Sequence, residues 1–357
     1  IALLADRFNR VNIVAISLAL WSGFTAMSGM AANYAQLAFA RAGVGIGEAG
    51  GSPPSHSMIS DLFPKEERGT ALGIYSLGIP LGIMIAYFAS AALLGTQSLD
   101  WRFVFMAVGI PGVVLALLLR LTVREPVRGA MDSGVEQLGF FTSIGRLLSI
   151  PSWWGMCLGI SFASFGAYAL GAFAIVFLAR TFPEVPVPRV LVIYGLLNGI
   201  AYTAGVYIGG VVADAWGRRD KGGYAYSPAI ALVIGAPCLI AAFWVSQFWL
   251  VALLIGVYLF MSGFYLGPSF SIAQTLAPVR VRAMSTALFF FILNMISLGG
   301  GPTYVGIMSE HFQKTHDPGT ALRLAMTTLA ITYAIGIIAF LWTGTRLPRD
   351  GKKATGE

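Results

Sequence analysis

Residues 41–56 read RAGVGIGEAGGSPPSH, and two of them could do chemistry. Arg41 and Glu48 lie seven residues apart in a run that is mostly apolar. On a helix seven residues is nearly two full turns, so both side chains share one face, with Gly45 and Ser52 continuing the stripe and Ser55 and His56 near its edge. Such a pair can form a structural ion bond, hold a polar head group, or take up and release a proton. The stretch also contains GIGEAG, which matches the G-x-G-x-x-G pattern of dinucleotide-binding loops. That fingerprint needs a preceding strand and an acid about 20 residues on. Here it sits inside the apolar run 36–62, and the first acid after Gly50 is Asp61. The glycines are read instead as packing positions: Gly43, Gly45, Gly47, Gly50 and Gly51 let a neighbouring helix approach. Pro53 and Pro54 are expected to bend the same helix.

The elements that must position these residues follow from composition. Apolar residues make up 57% of the 357-residue chain and charged residues 11%, against about 25% charged in a soluble domain. Segments of about 20 mostly apolar residues can cross a hydrocarbon layer roughly 30 Å thick. Ten such segments are expected, at 11–32, 36–62, 70–94, 102–121, 153–180, 190–216, 228–246, 248–272, 282–307 and 322–344. They are too long and too uniformly apolar for barrel strands, so the fold class is an all-α membrane protein. Cys157 and Cys238 fall inside spans and read as small apolar packers. Most of the 23 Lys and Arg lie in the loops that share a side with the C-terminal tail, which is then cytoplasmic. The net charge of +7 is therefore a topology signal spread over short loops, not the clustered basic face that nucleic acid requires.

Two stretches recur. IALLADRFNR (1–10) is similar to GGVVADAWGR (209–218), with Asp6 matching Asp214 and Arg10 matching Arg218. PSHSMISDLFPKEERGTAL (54–72) is similar to PSFSIAQTLAPVRVRAMSTAL (268–288), with Pro54 and Ser57 matching Pro268 and Ser271 at a separation of 214. Near-constant separation implies duplicated helical bundles. The domains are then an N-terminal bundle (1–121), a cytoplasmic linker (122–152) and a C-terminal bundle with a short basic tail (153–357). Residues 135–150 of the linker read as a short interfacial helix or as plain linker. In the second half two spans lie N-terminal to the repeated acidic–basic loop, so two helices are expected before Ile1, giving six plus six with ten of the twelve in this chain.

The acidic–basic loop in each half resembles the signature loop of the major facilitator superfamily. RAGVGIGEAGGSPPSHSMISDLFPKEERGTALGIYSLGIPLG (41–82), WRFVFMAVGIPG (101–112) and GPSFSIAQTLAP (267–278) resemble the spinster-like branch. Asn9 stands where the loop usually has glycine, as Gly217 does in the second copy, and asparagine tolerates left-handed geometry. The resemblance implies two six-helix bundles related by a pseudo-two-fold axis, and alternating access around a site near the midplane. It also implies a cytoplasmic gate at Asp6, Arg7, Arg10, Asp214, Arg218 and Arg219; on residue type alone these are equally topology-setting loop charges.

Glu48 lies about 18 Å from the outer end of its span and Arg41 about 8 Å in. An isolated carboxylate at that depth costs at least ~3 kcal/mol, which argues for an inward-facing position. Two readings of the pair stay open, a structural ion pair or a site for protons and substrate. Spinster-like proteins are thought to couple transport through ionisable residues of this helix. His56 reads as a packed polar residue or a proton relay. Tyr75, Tyr168, Asn198, Tyr202, Tyr265 and Asn294 read as interhelical hydrogen bonders that together could line a cavity. Pro80, Pro111, Pro237, Pro268 and Pro302 read as kinks.

The function expected is a proton-coupled secondary transporter, and the resemblance implies an amphipathic lipid such as a lysophospholipid or sphingoid lipid. A hydrophobic drug or a small organic anion is the alternative. Three scattered histidines and no metal-ligand spacing give no catalytic cluster, so no enzyme, cofactor or metal is expected. A channel or receptor is disfavoured by short outer loops. The partners expected are the substrate, protons and membrane lipids, with a monomer in a bacterial inner membrane.

Overall fold

The computed structural model describes residues 8–63, 75, 78–95, 100–127, 145, 148–276 and 282–355. Among these the secondary structure is helical, without strands. The chain forms two compact units, Ile1–Val135 and Glu136–Glu357. Eight helices or joined helices among the described residues are long and apolar enough to span a membrane. The expected spans 36–62 and 70–94 are not among them, because the first is divided in two and the second is described only in part.

In the first unit, α1 (Arg10–Gly29) packs mainly on α5 (Trp101–Thr122) and on α2 (Tyr34–Glu48). Between them lie α3 (Ser52–Leu62) and α4 (Gly78–Gly95). Helix α1 starts where Asn9 accepts a hydrogen bond from the Asn12 N–H at 2.9 Å, with Asn9 at φ −59°, ψ 118°. The tolerance for left-handed geometry is therefore not what makes asparagine fit here. Its side chain is an N-cap.

The glycine-rich stretch is interrupted after Glu48. The N–H groups of Gly50 and Gly51 bond back three residues, to Gly47 and Glu48 carbonyls at 3.1 and 3.0 Å, tightening the turn. Helix α3 then starts afresh, with Pro53 and Pro54 in its first turn. There a missing N–H removes no intrahelical bond and the fixed φ suits the helix. The two prolines begin a helix rather than bend one.

Packing supports part of the glycine reading. A Cβ on Gly47 would stand 2.7 Å from the Trp21 backbone nitrogen, and one on Gly43 would stand 2.5 Å from the Phe24 ring. At Gly51 the Trp21 ring lies 3.1 Å away. Gly45 differs, since nothing lies within 4 Å of its Cβ position. Three glycines seat α2 and the following turn on α1, while Gly45 belongs to the opposite, open face.

The second unit is centred on α6 (Pro151–Thr181), which lies against α12 (Arg282–Phe312) and α14 (Leu329–Thr355). Gly155, Gly159 and Gly166 meet Thr343 and Trp342, Phe340, and Tyr333 respectively, so α6 and α14 interlock through small residues. Helix α7 (Val187–Leu196) continues through a π turn (Leu197–Tyr202) into α8 (Thr203–Gly217), followed by α9 (Gly223–Ala242). Helix α10 (Phe248–Ser262) passes through a 3₁₀ turn (Gly263–Tyr265) into α11 (Leu266–Thr275), and α13 (Pro318–Thr327) precedes α14. Pro111, Pro237 and Pro302 lie inside helices, whereas Pro268 sits in the first turn of α11 and Pro80 near the start of α4.

Gly47→Val is expected to destabilise the protein by about 1–3 kcal/mol, because the backbone of Trp21 cannot yield to a larger side chain. Gly45→Ala, facing open space, is expected to be neutral or stabilising. Unfolding midpoints in detergent check both, and equal midpoints for the two variants would contradict this packing.

Candidate functional site

Among the described residues of the first unit, two polar groupings bear on the site. The first is the stripe on α2. Its buried face carries Ala40, Gly43, Val44 and Gly47, and its open face carries Arg41, Gly45, Glu48 and, after the turn, Ser52. The periodicity expected from sequence is thus present. No ion pair joins Arg41 to Glu48 among the described residues. Instead the Arg41 guanidinium lies over the Phe105 ring of α5, 5.9 Å from its centroid. A cation held on an aromatic face keeps its charge without neutralising the carboxylate two turns away. Glu48 ends α2, so its side chain leaves the helix at the point where the backbone breaks.

The second grouping was not legible as a unit in the sequence. Arg10, 3% exposed, opens α1 and gathers partners from two distant segments. Its Nη1 donates to Asp61 Oδ2 at 2.5 Å and to Ser57 Oγ at 2.8 Å, both on α3. Its Nε donates to Glu125 Oε1 at 2.7 Å, and its Nη2 to the Pro126 carbonyl at 3.2 Å, just after α5. The second oxygen of Glu125 accepts the Val11 N–H at 3.1 Å, so one carboxylate both pairs Arg10 and caps α1. Beneath this knot Val11, Val14 and Met58 form a small core with Leu119 against it, which excludes water from one side.

Burial opposes the charge on Glu125, but hydrogen bonds from Arg10 and the Val11 N–H, with the Arg10 charge, outweigh it and hold the carboxyl below the usual glutamate range. Arginine fits this position because its planar fork can serve three directions at once, which lysine cannot.

The second copy of the loop is built differently. Asp214, Arg218 and Arg219 are all exposed, and the Tyr224 phenol lies within electrostatic reach of Asp214 and Arg218. Thr275 stands where the repeat places the counterpart of Asp61. Gly217, the counterpart of Asn9 in the loop pattern, packs against the Tyr224 ring. Of the six gate candidates, Arg10 is the one the structure places in a built charge cluster; Asp6 and Arg7 lie outside the described residues. Asp61, Ser57 and Glu125 were missed as participants. The available signals were an acid one helical turn after Ser57 and an acid in VREPVR at the end of an apolar run.

The polar residues expected to line a cavity are distributed. Tyr75 and Tyr168 are exposed at 41% and 39%, Asn294 is exposed, and Ser52 lies on the α2 stripe. The side chain of His56 lies outside the described residues, as does most of the expected linker helix 135–150. Asn198 donates to the Tyr194 carbonyl at 3.0 Å within the π-turn region, so one of its donors is satisfied locally. Tyr202 and Tyr265 join a cluster with Tyr194, Tyr258 and Tyr333. There Tyr265 is 3% exposed beside Ser164, and the Tyr258 and Tyr333 hydroxyls share a 2.8 Å hydrogen bond. Tyr265 is thus buried within its unit. No group of three or more His, Cys, Asp or Glu able to hold a metal occurs among the described residues.

Membrane-spanning helices seated on one another through glycines are an architecture on which membrane transporters are built. The comparisons fix the family. Residues 1–302 match the model of the Major Facilitator Superfamily. The chain is 31% identical to an MFS-type efflux pump of Mycolicibacterium smegmatis over 98% of this chain and 80% of that protein. It is 26% identical to protein spinster homolog 1 of Mus musculus over 98% of this chain and 71% of that one. The crystal structure of a bacterial homolog to the human lysosomal transporter Spinster, in an inward-facing and unoccupied conformation, superposes with a TM-score of 0.85 at 27% identity, covering 98% of this chain and 86% of that one. The chain belongs to the Major Facilitator Superfamily, in its spinster-like branch.

Arg10→Lys is expected to lower stability by about 1–3 kcal/mol, the cost of leaving partly buried acceptors unsatisfied. The stability that Glu125 contributes is complete above the ordinary glutamate value of about 4.3 and is lost as pH falls through its lowered value in the folded protein. Acid unfolding monitored for the parent and Glu125→Gln checks this. The variant should lose part of the slope below about pH 4.3, and superimposable acid profiles would contradict the assignment.

Proposed function

We propose that this chain is the carrier part of a proton-coupled secondary transporter that moves an amphipathic lipid, a lysophospholipid or a sphingoid lipid, by alternating access. One observation carries the reading: Arg41, Gly45, Glu48 and Ser52 form an open polar stripe on an otherwise apolar span, with the acid and the base not paired to each other. Intramembrane ionisable groups are costly, and retained ones mark pathways for ions and substrates. A stripe carrying one cation and one titratable acid, flanked by apolar surface, suits a charged head on a long tail. The likeness to a bacterial homolog of a lysosomal transporter supports the carrier part of this reading.

In this reading the Arg10 knot is the cytoplasmic gate of the first unit, and Arg218 and Arg219 are looser elements of the second. The organisation proposed is two bundles, 1–121 and 153–357, joined by 122–152. The excess of basic loops on the side of the C-terminal tail supports a cytoplasmic C-terminus. The protein is proposed to act as a monomer in a bacterial inner membrane. A second reading, export of a hydrophobic drug, is favoured by the 31% identity to an efflux pump.

The test is transport in proteoliposomes containing the purified full-length protein, with a labelled lysophospholipid and an imposed pH gradient. The parent should show saturable, gradient-driven movement. Glu48→Gln should reduce gradient-driven accumulation at least about tenfold, equivalent to 1.4 kcal/mol of coupling, while folding normally. Accumulation equal to the parent would reject the proton role. Movement of a hydrophobic dye without movement of the lysolipid would favour export of drugs.

A further inference from the structure

Helix α14 carries an exposed apolar face that ends in arginines. Ile331, Ile335, Ile338 and Trp342 are exposed at helical spacing, and the exposed Arg349 falls on the same line. Arg346, also exposed, stands one turn beyond Trp342. From Ile331 to Arg349 the strip rises about 27 Å, close to the thickness of a hydrocarbon layer. The opposite face, with Tyr333, Phe340, Thr343 and Leu347, is buried. The strip therefore meets lipid, and its cations begin where the apolar run stops.

These cations are held in place. A Cβ on Gly155 of α6 would stand 2.7 Å from the Trp342 ring, so the indole rests directly on α6. The Arg346 guanidinium lies over that ring in turn, 5.4 Å from its centroid. Stacking occupies the flat face of a guanidinium and leaves its N–H edge for an acceptor. The turn between α8 and α9 lies against the same end. A Cβ on Gly222 would stand 2.7 Å from the Gly344 carbonyl oxygen, and the Tyr226 ring packs on Gly344. The exposed Lys221 is thereby carried beside the turn of α14 that leads to Arg346.

The acids at this end face backbone donors. Asp220 Oδ1 accepts the Gly222 N–H at 2.9 Å, and Asp350 accepts the Ser152 N–H at 3.0 Å and the Ser152 hydroxyl. Among the described residues no ion pair takes up Lys221, Arg346 or Arg349. The sequence adds Lys352 and Lys353 just beyond. Unneutralised bases at the rim of an apolar strip match an anion that has an apolar body of its own.

We propose that this end of the second unit binds an anionic phospholipid of the surrounding bilayer. Arg346 and Arg349 hold the phosphate oxygens, Lys221 flanks them, and the acyl chains lie along Ile338, Ile335 and Ile331. Arginine forks suit phosphate because two parallel N–H groups can meet two oxygens. A free phosphate would meet the same bases but leave the apolar strip unused, so the occupant is the lipid. It is a resident lipid rather than cargo. No residue of the α2 stripe takes part, and the inference stands without the transport reading.

The test uses the full-length protein, delipidated in a neutral detergent and titrated with phosphatidylglycerol or with phosphatidylcholine of the same acyl chains. The unfolding midpoint is read at each lipid fraction, since a ligand of the folded state raises it. Phosphatidylglycerol should raise the midpoint of the parent more than phosphatidylcholine does. In Arg346→Gln/Arg349→Gln the fraction of phosphatidylglycerol giving half the rise should increase at least about tenfold, with the phosphatidylcholine response unchanged. Lys314→Gln/Arg323→Gln removes the same charge near the start of α13 and should behave as the parent. Equal responses to the two lipids in the parent, or an unchanged titration in the arginine variant, would overturn the site. An equal loss in the control variant would reduce the effect to net charge and overturn it too. Inorganic phosphate raising the midpoint as far as phosphatidylglycerol does would reject the lipid as occupant.

Discussion

A buried guanidinium must find acceptors for its N–H groups, and in this protein that requirement organises one end of the first unit. Arg10 at the entry of α1 is satisfied from α3 by Asp61 and Ser57 and from the end of α5 by Glu125 and the Pro126 carbonyl. None of these segments is a sequence neighbour of Arg10. Removing any one partner leaves desolvated charge behind, so the three helix ends are held together or released together. The second unit uses the same device in simpler form: Asp350 near the end of α14 accepts the Ser152 N–H at 3.0 Å and the Ser152 hydroxyl, capping the first turn of α6. In both units an acid on the closing helix settles the unsatisfied donors of another helix.

The polar stripe on α2 depends on the opposite principle. Helix α2 is fixed by surfaces with no side chain to spare, Gly43 and Gly47 on Phe24 and Trp21, which frees its other face for Arg41 and Glu48. Packing thus decides which face is open, and charge decides what that face can do. In the second unit the open-face logic gives way to a closed tyrosine cluster, where the Tyr258 and Tyr333 hydroxyls share a hydrogen bond and Tyr265 is buried beside them.

Much of this was readable in the chain because a bilayer imposes its thickness on sequence. Long apolar runs announced helices. The seven-residue spacing of Arg41 and Glu48 correctly placed both on one face. What could not be read follows from physics that apolarity does not encode. The break after Glu48 is invisible to hydropathy, since the run stays apolar through Ala49, Gly50 and Gly51. Pro53 and Pro54 were read as a bend because a proline's meaning depends on where a helix starts, which only the backbone shows. Asp61 and Glu125 were passed over because an ion pair bridging 51 and 115 residues leaves no local pattern. Asn9 was read through its backbone tolerance, while its side-chain oxygen is what the structure uses.

The central proposal is that the Arg10 knot keeps the stripe around Glu48 closed to the side of the membrane on which Arg10 lies. The most direct measurement is the rate at which a membrane-impermeant maleimide, added on that side, modifies a cysteine introduced at Ser52. The account predicts slow labelling with Arg10 intact and labelling at least about tenfold faster in Arg10→Gln, a shift of 1.4 kcal/mol in favour of the open form. Equal rates in the two proteins would contradict it.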